Sequence, residues 1–262
     1  MDFAKNGSNM SSYQSKLMTC RLNLIIVILF ICLGAPATLM AKGDLVLNTA
    51  FGHPLSNDEQ TGFADMVVNH ALAQLDLKME SVKLPAERAL LNANAGIDDG
   101  DLLRIEGIEK TYPNLIQVPE KIIDIEFVVF TKQPQFTLSD WQSLKPYSIA
   151  IINGWKILER NITDVAELTK VKNEDQLFTI LSKNRVDAIV YSRWTGLAYI
   201  TQHNLQGVYM VKPPIAQRSL YIYLHKKHKN LVPKLSQALK SMKLDGSYQR
   251  LYEQKLLSVF GK

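Results

Sequence analysis

An α/β fold of two lobes, each a mostly parallel sheet flanked by helices, is predicted from three observations. Apolar spacing switches between strand and helix periods in two successive blocks, the alternation that builds sheet-and-helix layers. Pro134 and the pair Pro213-Pro214 bracket the second block, so that block could fold by itself. The strand pattern resumes at Arg218, so the chain crosses between the lobes twice.

The elements follow in order. Leu45–Thr49 is an apolar first strand. Phe63, Met66, Val67, His70, Ala71 and Leu75 then share one helical face. Asp65 falls in that helix's first turn, where the dipole favours a carboxylate. Residues 77–82 read as a strand, 85–94 as a helix ending near Gly96, 101–103 as a short strand and 127–131 as another. The second block reads as strand 148–152, a helix from Trp155, strand 168–171 and helix 175–183. Strand 186–191, a helix through 197–201 and strand 208–211 close it. Strand 218–224 and helices 231–242 and 247–256 complete the chain. One lobe is expected from 44–131 plus 215–262 and the other from 133–212. A hinge then lies at the two crossings, with a ligand site in the cleft.

The N-terminus carries an export signature. Leu24–Ile31 is an unbroken apolar run, preceded by Lys16 and Arg21 and followed by Gly34-Ala35-Pro36-Ala37 and Leu39-Met40-Ala41. A basic flank, a short apolar core and small residues predict a secretory signal over residues 1–41, cleaved after Ala41 or Ala37. Met18 is an alternative start. Gly34 and Pro36 break the run short of the ~20 apolar residues that a spanning helix needs. Both cysteines, Cys20 and Cys32, lie within the signal, so the exported chain has no disulfide and no thiol nucleophile. The signal also takes away Lys5, Lys16, Arg21 and Asp2, and the formal charge of +5 falls by two. The remaining surplus is not gathered into one patch, which argues against nucleic acid. The run His225-Lys226-Lys227-His228-Lys229 reads as a solvated turn.

Enzyme signatures are absent. The chain has no Gly-x-Ser-x-Gly elbow, His-Glu-x-x-His, phosphate loop or dinucleotide fingerprint, and no cofactor is expected. Asp98, Asp99 and Asp101 lack calcium-loop spacing, so turn chemistry is the reading for that cluster.

Three segments then stand in order: Thr61-Gly62-Phe63-Ala64-Asp65, Asn184–Val190 and Leu244-Asp245-Gly246-Ser247-Tyr248. Together they resemble the family 3 periplasmic solute-binding proteins over nearly all of residues 45–256. The resemblance implies a type II periplasmic binding fold and a monomer without enzymatic activity. It implies a small polar solute, amino-acid-like or a carboxylate, delivered to the membrane permease of an ABC-type importer. A sensor subunit for a membrane signalling partner, or a catalytic derivative such as a dehydratase, is the alternative.

The resemblance also implies where a site lies. Phe51, after the first strand, stands where the family has an aromatic wall. Relatives hold the solute's carboxylate by an arginine in a Thr-x-x-Arg turn. This chain reads Gly100-Asp101-Leu102-Leu103-Arg104 there, so Arg104 is the first candidate and Arg88 the second. Gly154, in Asn153-Gly154-Trp155-Lys156, opens a helix where backbone N–H groups can meet an anion or a polar group. Trp155 replaces the family's threonine with a stacking surface, and Lys156 adds a charge. Amino-acid binders place an aspartate about two residues past the 186–190 strand, whereas this chain has Ser192 and Arg193. A serine cannot neutralise an ammonium and the arginine would repel it, so an anionic or neutral solute is expected.

Overall fold

The computed structural model describes residues 45–257; the predicted export signal lies outside them. Ten strands form one sheet among the described residues, in the order β2-β1-β3-β10-β5-β8-β6-β7, with β4 beside β10 and β9 beside β5. The strands are β1 Leu45–Thr49, β2 Met79–Lys83, β3 Gly100–Ile105, β4 Leu115–Gln117, β5 Ile123–Thr131, β6 Ser148–Ile152, β7 Glu167–Val171, β8 Ala188–Ser192, β9 Tyr209–Met210 and β10 Ala216–His225. The helices are α1 Phe63–Ala73, α2 Ala86–Ala95, α3 Lys156–Asn161, α4 Glu174–Ser182, α5 Arg193–Gln202, α6 Val232–Leu244 and α7 Ser247–Tyr252.

β1 pairs in parallel with β2 and β3, and β6 pairs in parallel with β7 and β8. Two parallel groups thus occupy the two ends of the sheet. The antiparallel strands β10 and β5 join them. Along β5 the partner changes at Phe127: residues 123–127 face β10 and residues 127–131 face β8. Ile215 N–H donates to the Phe127 carbonyl at 2.9 Å, so the returning chain arrives where the outgoing one changes partner.

Apolar side chains from both ends make one continuous core, including Leu47, Phe63 and Leu72 at one end and Ile151, Phe178 and Val190 at the other. Strands buried on both faces read as unbroken apolar runs, which is why β1, β6 and β8 stand out in the sequence. Asp65 caps α1. Its carboxylate accepts from Ser56 Oγ at 2.8 Å, Asn57 N–H at 3.0 Å and Gly62 N–H at 3.1 Å. Burial raises its pKa above the ordinary aspartate value, against the pull of those donors.

The 98–101 turn is structural throughout. Asp98 accepts from Asn48 Nδ2 at 2.7 Å, and Asp99 accepts from Val46 N–H at 2.8 Å. Lys227 and His228 also reach Asp99, at 2.8 and 2.7 Å, which ties the basic turn after β10 to the end of α2. No helix among the described residues is long and apolar enough to cross a membrane.

Candidate functional site

The loops that follow β1, β3, β6 and β8 meet between the two parallel groups, where open α/β sheets place ligands. Trp155 lies at the centre. Its ring centroid is 4.9 Å from those of Phe51 and Tyr191 and 5.7 Å from that of Phe127. Tyr191 continues to Phe178, which stacks on Tyr199 at 4.5 Å. Phe51, expected to pack on a solute, is buried against Trp155 in this aromatic column.

Phe51, Arg104, Trp155 and Lys156 border a space of about 30 Å³ beside Phe127 and Leu220. That is about the volume of a single water. Four of the eight expected residues therefore meet, but their own side chains fill the place they surround.

The basic groups here already have carboxylate partners. Arg104 is buried; its Nε donates to Asp101 Oδ2 at 2.6 Å and its Nη2 to the Ala86 carbonyl at 2.9 Å. Burial raises the fully enclosed Asp101 carboxyl, and Arg104 opposes that rise. Lys156 Nζ reaches Glu87 at 2.6 Å and Glu159 at 3.1 Å. Despite the cost of burial, these two carboxylates push its pKa up to about 12. Arg193 Nη1 pairs with Glu126 at 2.9 Å. The Gly154 N–H, expected to face a solute, donates to Glu159 Oε1 at 2.9 Å. Arg88 is exposed on α2 and borders none of the cleft spaces described here.

Gly154 has a different task. Its φ is +86°, and a Cβ there would stand 2.3 Å from Glu87 N. Only a glycine lets the β6–α3 turn rest against the start of α2, a close approach with φ in the left-handed range.

A second space, of about 340 Å³, is bordered by Tyr191, whose ring packs on Trp155. The β1–α1 loop contributes Ser56, Asp58 and Glu59, β2 ends in Lys83, α4 begins with Glu174 and Asp175, and β8 and α5 supply Tyr191, Thr195 and Tyr199. Lys83 pairs with Glu174 across it, and both also border a smaller space of about 190 Å³. The Tyr199 hydroxyl donates to Asp175 Oδ1 at 2.9 Å; burial first and Asp175 next hold its pKa above the ordinary tyrosine value. The Tyr191 hydroxyl and Ser192 Oγ are buried without hydrogen-bond partners, as is Trp155 Nε1. Buried polar atoms are rarely left so. Sequence reasoning reached Ser192 but not Tyr191 or the acidic rim. The doublets Asp58-Glu59, in a turn after β1, and Glu174-Asp175, opening the helix after β7, were the available signal.

No family model matches the chain. A protein of Shewanella oneidensis, described as uncharacterized, is 26% identical over 246 residues, covering 88% of this chain and 92% of its own length. Among solved structures, an ancestral arginine-binding protein bound to glutamine superposes with a TM-score of 0.71 at 23% identity, over 84% of this chain and 99% of its own. The substrate-binding protein of an amino acid ABC transporter gives 0.67 at 20% identity, over 81% and 99%. The chain has the two-lobed type II periplasmic binding fold, and these solved neighbours are binding proteins.

Proposed function

We propose that this protein is a periplasmic solute-binding protein that captures a small polar solute between its lobes and presents it to an ABC-type membrane importer. The lobes are residues 44–131 with 215–262, and residues 133–212. The observation that carries this reading is the open space of about 340 Å³ at the junction of the two parallel strand groups, in a fold whose solved neighbours include an amino acid transporter's binding protein. Such a space is within the size range of small-ligand sites. The expectation of an anionic solute loses its basis, because Arg104, Lys156, Arg193 and the Gly154 N–H each have a carboxylate of this chain beside them.

A thermal-shift screen of the purified protein against amino acids, amines, dicarboxylates, sugar acids and short peptides tests the reading. A true solute at a hundred times its dissociation constant adds about 2.7 kcal/mol. A flat response across all five classes overturns it.

A further inference from the structure

We infer that the 340 Å³ space is the seat of an organic cation, with an ammonium or guanidinium group held between Tyr191 and the acidic rim. This rests on the solute-binding reading above and names the class of solute.

Three observations carry it. Asp58, Glu59, Glu174 and Asp175 border the space against one lysine, Lys83, which Glu174 already holds; His53 and His203 are the other basic side chains there. Asp58 and Glu59 are exposed and make no ion pair among the described residues, so their field is free to draw in a positive solute. Tyr191 supplies the independent observation. Its side chain borders the space, is 1% exposed, and its hydroxyl has no hydrogen-bond partner. An ammonium offers three donors and a guanidinium five, and neither accepts; the hydroxyl oxygen can take one of those donors. Tyr199, whose hydroxyl donates to Asp175 Oδ1 at 2.9 Å, fixes that carboxylate at the border of the space.

The carboxylates surround the space rather than converge. Among the described residues no three His, Cys, Asp or Glu side chains come together as a metal site would require. An extended organic cation therefore fits where a bare metal ion does not.

Isothermal titration calorimetry of the purified protein tests this with 1,4-diaminobutane, butylguanidine, succinate and erythritol. The two cations are expected to bind, more weakly at high salt because exposed carboxylates are screened; succinate and erythritol are expected to stay silent. Tyr191→Phe keeps the ring, and its removal of one hydrogen bond to a charged group should weaken the cation about 10-fold or more. The Asp58→Asn, Glu59→Gln double variant should weaken it about 3- to 10-fold, with circular dichroism checking that both variants fold. Binding of succinate with silence from both cations overturns the inference and leaves solute binding intact. Cation affinity unchanged in both variants also overturns it, since the solute then sits elsewhere. Silence from all four probes overturns it too, and the broader thermal-shift screen then decides the solute-binding reading separately.

Discussion

Around Trp155, Arg104 has Asp101, Lys156 has Glu87 and Glu159, and Arg193 has Glu126. Around the 340 Å³ space, Asp58 and Glu59 have no such partner and Tyr191 holds an idle hydroxyl. The difference separates groups that assemble the cleft from groups that are left for something else. A buried charge must find its counter-charge inside the molecule or lose several kcal/mol, so Arg104 and Asp101 are explained by folding alone. Asp58 and Glu59 are exposed and have no such obligation. Unmatched charge beside an unpartnered buried hydroxyl points to a ligand, and matched charge does not.

The largest test of that contrast is Arg104→Ala. Leaving Asp101 fully buried and unpaired should destabilise the protein by about 3–5 kcal/mol in urea unfolding. The double variant Asp101→Asn, Arg104→Met should recover most of this, because it removes both charges together. Were Arg104→Ala to keep its stability and lose solute binding instead, Arg104 would be a solute anchor and the contrast would collapse.

Gly154→Ala comes next. The added methyl meets the Glu87 backbone, and the residue keeps a left-handed φ. Strain of this kind costs about 1–3 kcal/mol, and it falls on the approach of α3 to α2. Small-angle scattering should show a larger radius of gyration for the variant than for the parent. An unchanged profile would mean that the turn and the helix part without opening the cleft.

Lys156→Met should matter less. The Lys156–Glu87 pair spans the cleft with its side chains 20% and 34% exposed. Partly exposed pairs are worth about 0–1 kcal/mol, so the melting temperature should fall by a few degrees at most. A larger fall would put Lys156 among the groups that assemble the cleft.

The fold was legible where apolar side chains speak for themselves. β1 and β6 match their expected bounds because all five residues of β1, and the four of β6 after Ser148, are apolar or buried within the sheet. The first half of β5 lies outside the expected strand 127–131. Ile123-Asp124-Ile125-Glu126 alternates in the strand period, but its two acids look like loop until the fold gives them Ser219 and Arg193. β4, three residues long, carries too short a pattern to read. In the cleft, Asp101 was within three residues of Arg104 and the pairing could have been anticipated. Glu126 and Glu87 are 67 and 69 residues from the partners they neutralise, and no local pattern reveals such contacts. The acidic cavity joins four distant segments, so only the folded chain displays it.

The smallest effect concerns acid stability, and it comes from a carboxylate that borders neither cleft space. Asp187 accepts from Ser148 N–H at 2.8 Å, Ser148 Oγ at 2.7 Å and Gln133 Nε2 at 2.9 Å. The Ser148 N–H first, and its hydroxyl next, hold the carboxyl below the ordinary aspartate value of 3.8. A depressed folded-state pKa means that the unfolded chain binds the proton more readily. The stabilisation is therefore complete above about pH 4 and fades as pH falls through the folded-state value. Asp187→Asn keeps one acceptor for Ser148 and loses the titration. Urea unfolding at pH 6 and pH 3 should show a smaller fall for the variant than for the parent. Equal falls would mean that the acid limb belongs to other carboxylates, of which Asp99 and Glu159, both also depressed, are the next to replace.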